Sequence, residues 1–365
     1  MDCLSSFWQH LGPAAASAIR LDGDYYGDAT LDILCLGSGW TYTFLGPAAM
    51  DKSLRIASTT RDGRGGTIPF TFDPTSDDTA AFEGLPDASL VVVIFPLYET
   101  AAVRRLVRGY LDTRRQTEEE GEKPRKQAAF LQLGSTGVWD HGPTLQLAPL
   151  SQDEEEEETR GKKRRNGGGG GGGDSPWKDR HSRIDATIPR GAAEDYLLSL
   201  NDSKSARPVS TSVLNLSGLW GHGRSPRRFI GRIAPDKETL SRLGSVHFVH
   251  GHDVARAILE MARQWDKAEG QRWLLTNERV YDLWDLASRW GDSGEAGRNH
   301  PPTGPQRTWV NQLVAESRSG SSSSPLSSSS AIRAIPRTVE QMGTALDGTD
   351  FWITFGITPD VPWVD

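Results

Sequence analysis

The chain has 365 residues, of which 36% are apolar, and its formal net charge is −7. This length allows one large or two ordinary α/β domains with a sizeable core, and so modest a charge predicts neither nucleic acid nor an anionic membrane as a partner. The sequence has two cysteines, no secretory leader pattern and no apolar stretch near the roughly 20 residues that span a bilayer. We therefore predict a soluble cytoplasmic protein without a disulfide framework.

The first predicted elements are a strand, a tight turn and a helix. After an N-terminal extension of residues 1–30, residues 31–36 form an apolar run that predicts a buried strand, and residues 41–50 have the pattern of a helix. Glycines in the turn between them let the backbone approach a pyrophosphate, which then faces the N–H groups of the helix. We therefore predict that the turn binds a dinucleotide through Gly37, Ser38, Gly39 and Trp40. Tyr42 replaces the third glycine of the motif G-x-G-x-x-G.

The rest of the chain alternates strand and helix patterns. Residues 89–95 are apolar on both faces, as in a central parallel strand, and residues 99–115 place their apolar side chains on one helical face opposite the arginines. Alternation of this kind predicts a Rossmann-type α/β domain over residues 31–290, with a doubly wound parallel sheet and a small C-terminal lobe. The further strand patterns are residues 54–58, 128–133, 212–216, 246–249 and 273–276, and the further helix patterns are residues 190–200, 253–264 and 281–290.

Two stretches interrupt this alternation. Residues 151–180 contain an acidic run, a basic cluster and seven consecutive glycines, residues 167–173, and predict a flexible insertion. The acidic and basic charges largely cancel, which favours an inert linker over a nucleic-acid or nuclear-import patch. Residues 291–330 are rich in serine, glycine and proline and predict a second, disordered insertion. Residues 331–365 are then expected to pack on the domain as a C-terminal segment.

The residues after the second predicted strand bear on the choice of dinucleotide. An Asp or Glu there would bind the ribose 2′-hydroxyl of NAD, whereas an Arg can pair with the 2′-phosphate of NADP. This chain has Thr59, Thr60 and Arg61 at that position. We predict that Thr60 and Arg61 contact the cofactor and that the cofactor is NADP. NAD is the alternative, in which Arg61 is an ordinary solvated loop residue.

Five segments of the chain carry a family resemblance: LCLGSGWTYTFL, VVVIFP, FLQLGSTGVWD, VLNLSGLWGHGRSPRRFI and VHFVHGHDVARAI. In this order and spacing they resemble the extended short-chain dehydrogenase/reductase superfamily, in particular its atypical NAD-dependent epimerase/dehydratase-like members. The resemblance implies a catalytic serine at Ser135, four residues before Trp139. It also implies a Tyr-x-x-x-Lys pair on the next helix, but here Ala186 stands at the tyrosine position and Arg190 at the lysine position. Alanine cannot exchange a proton, and Arg190 either holds a cofactor ribose or phosphate or lies at the surface.

The loop of residues 217–224 resembles the superfamily's loop that closes over cofactor and substrate. The resemblance implies that Arg224 contacts a substrate phosphate or nucleotide-sugar, which would make the substrate anionic. The alternative is a solvated basic loop, because charged side chains are the usual content of surface loops.

Three histidines, His247, His250 and His252, lie close together in the sequence. Their spacing over a strand and a loop, with no cysteine beside them, argues against a metal site. Asp253, which follows them, is expected to be the N-cap of the next helix.

Three functions remain open at this stage. The first is an NADP-dependent oxidoreductase or epimerase-like enzyme acting on a small substrate, which Ser135 would orient. The second is a dinucleotide-binding sensor or regulatory protein in which the fold persists after loss of the Tyr-x-x-x-Lys pair. A third alternative is an interaction protein in which Tyr42 fills the cofactor groove. The expected ligands are a dinucleotide and a small molecule, and formation of a homo-oligomer through residues 99–115 stays open.

Overall fold

The structure is a computed structural model, and it describes residues 30–115, 128–140, 175–185, 187–201, 209–291, 304–319 and 331–364. The strands are β1 (Leu31–Leu36), β2 (Ile56–Thr60), β3 (Ile68–Pro69), β4 (Ala88–Val93), β5 (Ala129–Ser135), β6 (Trp177–Lys178), β7 (Thr211–Leu216), β8 (Gly218–Trp220), β9 (Ser245–Val246), β10 (Phe248–His250), β11 (Arg272–Leu275), β12 (Tyr281–Asp282) and β13 (Ala345–Leu346). The helices are α1 (Gly39–Asp51), α2 (Ala80–Glu83), α3 (Thr100–Arg115), α4 (Gly137–Asp140), α5 (Pro189–Ser199), α6 (Arg227–Ile233), α7 (Lys237–Arg242), α8 (Gly251–Arg263), α9 (Trp265–Ala268), α10 (Leu283–Trp290), α11 (Gln306–Ser319), α12 (Val339–Met342) and α13 (Thr349–Phe355).

Seven of the strands form one sheet, in the order β3-β2-β1-β4-β5-β7-β11. The pairings of β1 with β2 and with β4, of β2 with β3 and of β4 with β5 are parallel. The strand order reverses between β1 and β4, so the chain runs outward from this point in both directions. This is the topology of a doubly wound Rossmann-type sheet, and it confirms the predicted fold class.

The chain divides into two compact units. The first falls in the ranges 1–134, 186–214 and 255–272, and the second falls in the ranges 135–185, 215–254 and 273–365. Each unit has its own hydrophobic core. Every helix in the described residues is too short or too polar to cross a lipid bilayer.

The core of the first unit includes the inward face of α3. Leu106, Val107 and Tyr110 on that face are buried, as expected for an amphipathic helix that packs on a sheet. The buried Tyr110 hydroxyl donates a hydrogen bond to the carbonyl oxygen of Pro86 over 2.9 Å, which satisfies its polar group. The pattern of residues 99–115 therefore predicted both the helix and its buried face correctly.

The second unit contains three small strand pairs. In the described residues β8 pairs with β10, β9 with β12 and β6 with β13. The single strand predicted for residues 246–249 is therefore wrong, because β9 and β10 are separate strands with different partners. The chain passes from one to the other at His247, whose side chain accepts a hydrogen bond from the backbone N–H of Leu346.

Parts of both predicted insertions are folded. The prediction for residues 151–180 is wrong at its C-terminal end, because β6 lies there and the Arg180 guanidinium pairs with Asp350 and lies 4.1 Å above the Trp273 ring. The prediction for residues 291–330 is wrong at α11, a 14-residue helix. The helix has a short apolar stripe, Val310 and Leu313, which is buried in the hydrophobic core of the second unit. The serine-rich composition of the stretch made this stripe hard to recognise. The remainder of both insertions, and the N-terminal extension up to residue 29, lie outside the described residues.

Asp253 does not cap a helix, contrary to the prediction. Because α8 begins at Gly251, Asp253 lies inside its first turn. Its buried carboxylate accepts hydrogen bonds from the backbone N–H groups of Asp360 and Val361, over 2.8 and 3.0 Å. The side chain therefore anchors the C-terminal segment of the second unit.

Candidate functional site

A cavity of about 850 Å³ lies in the first unit, at the carboxyl ends of β1, β2 and β4. Ligands of open α/β sheets bind outside the carboxyl ends of the strands, at the point where the strand order reverses. The cavity has a glycine turn after β1, a polar loop after β2 and a partly aromatic wall that includes the segment after β4. Each wall is built by a different connection of the sheet.

The glycine turn has the backbone conformation that its sequence predicts. Gly37 has φ 91° and Gly39 has φ 50°, values that side-chain-bearing residues rarely adopt. A Cβ on Gly37 would lie 3.5 Å from the Phe95 ring, and the Gly37 N–H donates to the Thr59 hydroxyl over 2.8 Å. Gly37 and Ser38 line the cavity, so the backbone of this turn forms part of its surface.

Helix α1 starts directly after this turn. Ser38 occupies its N-cap position, and its side chain makes no capping hydrogen bond. The N–H groups in the first turn of a helix have no intrahelical acceptor, and the helix dipole adds partial positive charge there. The combination of a glycine turn and a 13-residue helix therefore favours binding of an anion at this end.

Trp40 and Tyr42 pack locally. The Trp40 ring meets Phe44 edge to face, with 4.9 Å between ring centroids, and Trp40 is not among the cavity-lining residues. The Tyr42 ring lies beside Gly46 in the next turn of α1, 3.1 Å from the position of a Cβ there. The hypothesis that Tyr42 fills the cofactor groove is therefore wrong. Gly46 has no side chain, which gives the tyrosine ring its space.

The polar wall of the cavity is the loop after β2. Thr60 and Arg61 line it as predicted, together with Asp62 and Arg64. The Asp62 carboxylate accepts hydrogen bonds from the Arg64 backbone N–H and the Thr60 hydroxyl, and these bonds lower its pKa. Arg61 is exposed, and within the described residues it forms no ion pair with a carboxylate. The loop therefore presents the unpaired guanidinium of Arg61 and the carboxylate of Asp62, which already accepts hydrogen bonds within the loop.

The cavity also has phenylalanine side chains that sequence reasoning missed. Phe70, Phe72 and Phe95 line it, and the Phe72 and Phe95 rings stack with their centroids 5.9 Å apart. Tyr98 is 57% exposed at the same wall. Phe95 ends the apolar run of residues 89–95, two residues beyond β4, and this run was the available signal. Phe70 and Phe72 follow a strand of two residues, too short to be recognised from its pattern.

Ser135 and Arg224 both belong to the second unit. Ser135 is the last residue of β5, where its hydroxyl accepts a hydrogen bond from the Gly137 N–H and its carbonyl accepts one from the Asn215 amide. Arg224 closes a tight turn with Gly221 through two backbone hydrogen bonds of 2.9 and 3.0 Å. Gly221, with φ 107°, has the left-handed backbone that this turn requires. The catalytic role of Ser135 and the substrate role of Arg224 stay predictions.

Arg190 lies in a buried charge network of the first unit. Its guanidinium donates to the carbonyl oxygen of Leu133 over 2.7 Å and pairs with Glu194. Glu194, which is 1% exposed, also pairs with Arg272, and Arg272 pairs with Asp195. Arg190 does not line the 850 Å³ cavity. Its predicted role in cofactor binding stays a prediction, and the contacts that the structure gives it are structural.

The three histidines His247, His250 and His252 have different environments in the structure. His247 is buried, and burial lowers its pKa to about 3, so its imidazole is neutral. The His252 ring lies 3.2 Å from the Asp360 carboxylate, and His250 stacks edge to face on Trp220. Within the described ranges, no group of three or more His, Cys, Asp or Glu side chains is arranged to hold a metal ion.

His247 is expected to make stability fall on acidification. An unfolded histidine titrates near 6.5, so below that pH the unfolded state gains a proton that the folded state does not accept until about pH 3. The free energy of unfolding should drop by about 2 kcal/mol between pH 7 and pH 5 from this residue. Urea denaturation at both pH values should show that this drop is missing in His247→Gln and present in His181→Gln, which changes an exposed histidine. Equal pH dependence in the wild type and His247→Gln would contradict the assignment.

Comparison with known proteins identifies the fold. No family model and no curated protein matches the chain. A solved protein from Methylobacillus flagellatus, assigned as an NAD-dependent epimerase/dehydratase, matches 92% of this chain and 95% of its own at 16% identity, with a TM-score of 0.50. MoeE5 in complex with UDP-glucose and NAD matches 90% of this chain and 93% of its own at 14% identity, with a TM-score of 0.51. The chain thus has the Rossmann-type α/β fold of these two solved proteins, the fold that its sequence resemblance implied.

Proposed function

We propose that the chain binds NADP(H) in the 850 Å³ cavity and acts as an oxidoreductase or epimerase-like enzyme on a small substrate. The observation that carries this proposal is the position of the cavity, at the switch point of the sheet and against the Gly37 turn. The neighbour MoeE5 was solved with NAD and a sugar nucleotide, which supports the same class of ligand. Bound NADP(H) would supply a hydride donor or acceptor.

The residues of the cavity fit a dinucleotide. Gly37 leaves open a space that any side chain would fill, and Ser38 begins the helix whose N-terminus attracts a pyrophosphate. Trp40 and Thr60, predicted from the sequence, are secondary candidates beside them. Phe72 offers an apolar surface for a planar base. These features support dinucleotide binding without distinguishing NADP from NAD.

The preference for NADP rests on Arg61. Its guanidinium is an unpaired cation at the wall after β2, where it can form charge-assisted hydrogen bonds with a 2′-phosphate. Arg64, at the same wall, lies 3.9 Å from the Asp62 carboxylate, so these two charges largely offset each other. Asp62 could instead bind a ribose hydroxyl of NAD, but its carboxylate is already hydrogen-bonded within the loop. The arrangement therefore favours NADP.

Arg61→Ala is expected to weaken the binding of NADPH selectively. Loss of a charge-assisted contact at an exposed wall should raise the dissociation constant for NADPH about tenfold and leave that for NADH nearly unchanged. Calorimetric titration of the full chain with both dinucleotides measures this. Arg108→Ala, which removes an exposed arginine of α3 outside the cavity, is the matched control. An equal loss for NADPH and NADH would argue against a 2′-phosphate contact.

A second candidate function is that of a dinucleotide-binding sensor or regulatory protein. The observation that favours it is the engagement of Arg190, at the lysine position of the missing pair, with Leu133 and Glu194. In the enzyme, Ser135 would orient the substrate and Arg224 would contact an anionic group on it. Consumption of NADPH with small carbonyl compounds separates the two functions, because a sensor binds NADPH without oxidising it.

A further inference from the structure

The first unit has a second cavity, of about 550 Å³, at the opposite edge of the sheet. It is lined by Asp32 and Ile33 at the start of β1, by Ser89 and Leu90 at the start of β4, and by Ala129 at the start of β5. The first cavity lies at the carboxyl ends of strands, so the two cavities face opposite edges and share no lining residue. The volume is within the range of roughly 300 to 1,000 Å³ that is typical of small-molecule pockets.

The cavity exists because small side chains line it on several sides. Ser89, Ala129, Ser210 and Ala262 come from four different segments of the first unit. Larger aliphatic side chains at these positions would bring the interior to the close packing that protein cores normally have. Around them Ile33, Leu54, Leu90 and Leu259 make most of the lining surface apolar. A ligand therefore needs an apolar body.

One wall of the cavity carries an indole ring in a fixed orientation. Trp265, in α9, lines the cavity, and its indole N–H donates to the Ser210 hydroxyl over 2.6 Å. This hydrogen bond uses the polar group of the indole and leaves the ring surface apolar. Aromatic rings pack well against other flat rings. The wall therefore favours a planar, aromatic ligand.

The charged residues of the cavity indicate the sign of the ligand. The Asp32 carboxylate is paired with Arg55, and Glu260 is paired with Arg263 over 2.7 Å. Lys52 also lines the cavity, and within the described part of the chain it forms no ion pair. One positive charge thus stays uncompensated beside an apolar space. Charge complementarity then selects an anion.

We propose that this second cavity binds a small amphipathic anion. The flat apolar body of the ligand would pack against Trp265 and Leu259, and its carboxylate or sulfonate would pair with Lys52. The site is independent of the proposed dinucleotide site, because the two cavities share no residue.

Anilinonaphthalene sulfonate is a suitable probe, because it is a flat aromatic anion whose fluorescence rises in apolar surroundings. We expect the full chain to bind it, both alone and with NADPH present. Ala262→Phe, which fills the cavity, should abolish the signal from this site. Lys52→Gln should raise the dissociation constant about two- to fivefold, the effect of one partly exposed ion pair. Lys267→Gln, a change of a neighbouring lysine outside the cavity lining, should have no effect.

Three outcomes would overturn the proposal. The first is probe binding that Ala262→Phe leaves unchanged, because the probe then binds elsewhere. The second is an equal effect of Lys52→Gln and Lys267→Gln, because the charge of the cavity then does not select the ligand. The third is the absence of probe binding. If circular dichroism shows that Ala262→Phe does not fold, Ser89→Leu fills the same cavity from an exposed strand position and carries the same expectation.

Discussion

Gly37→Val is expected to raise the dissociation constants of NADPH and NADH together, by about a hundredfold or more, which corresponds to about 3 kcal/mol of binding free energy. Two physical effects contribute. A β-branched residue is strained at φ 91°, so the turn would be distorted. The side chain would also occupy the space beside Phe95 into which a pyrophosphate must approach the backbone. Weaker binding of both dinucleotides distinguishes this effect from the weaker binding of NADPH alone that is expected for Arg61→Ala.

The matched control for Gly37→Val is Gly65→Val. Gly65 also has a left-handed backbone, with φ 66°, but a Cβ there meets no atom within 4 Å. The control therefore imposes a similar backbone strain without obstructing the cavity. The affinities of both variants for NADPH and NADH are compared by calorimetric titration. Circular dichroism verifies that the variants fold. Wild-type affinity in Gly37→Val would show that dinucleotides do not bind at this turn.

Asp282→Asn is expected to lower the free energy of unfolding by about 3 to 5 kcal/mol, because it leaves a buried guanidinium without its counter-charge. In the second unit Arg337 donates to both carboxylate oxygens of Asp282 over 2.7 and 3.1 Å, and both side chains are fully buried. The Arg337 guanidinium also lies 4.0 Å above the Trp284 ring. The variant would still cap α10, since asparagine is a good N-cap residue. The expected loss of unfolding free energy therefore comes from the unpaired charge and not from loss of the N-cap.

Urea denaturation of two further variants tests this explanation. Removal of both charges in Asp282→Asn with Arg337→Met should recover part of the stability lost in Asp282→Asn alone, because no buried charge is then unpaired. Asp285→Asn is the control on the same helix. Burial and the nearby Asp282 raise the pKa of Asp285, so its neutralisation should leave stability unchanged or increase it. A loss below about 1 kcal/mol in Asp282→Asn, the size of an exposed ion pair, would contradict the assignment.

The Arg190 network shows why a sequence position does not establish a role. The resemblance placed Arg190 where a catalytic lysine would stand, and from the sequence it could equally hold a cofactor or face the solvent. In the structure its partners are Leu133 and Glu194, which are 57 and four residues away along the chain. A partner that distant leaves no trace in local periodicity. The structure therefore gives Arg190 contacts that neither alternative anticipated.

The sequence by itself determined the fold class and the first strand, turn and helix. Apolar runs that alternate with amphipathic helices specify a parallel α/β sheet, because each pattern reports which faces are buried. The turn at Gly37 and Gly39 was also predictable, since only glycine readily adopts positive φ values at a strand-to-helix bend. These features depend on neighbours within a few residues, so they can be recognised without the rest of the molecule.

Only the tertiary structure decided how distant segments meet. It brought Asp62, Arg64 and Phe72 to the wall of the first cavity, folded α11 within a serine-rich stretch and used Asp253 to hold Asp360 instead of capping a helix. It also left space among small side chains at the amino edge of the sheet. Composition and periodicity average over a local window, whereas these contacts depend on packing between segments far apart in the chain.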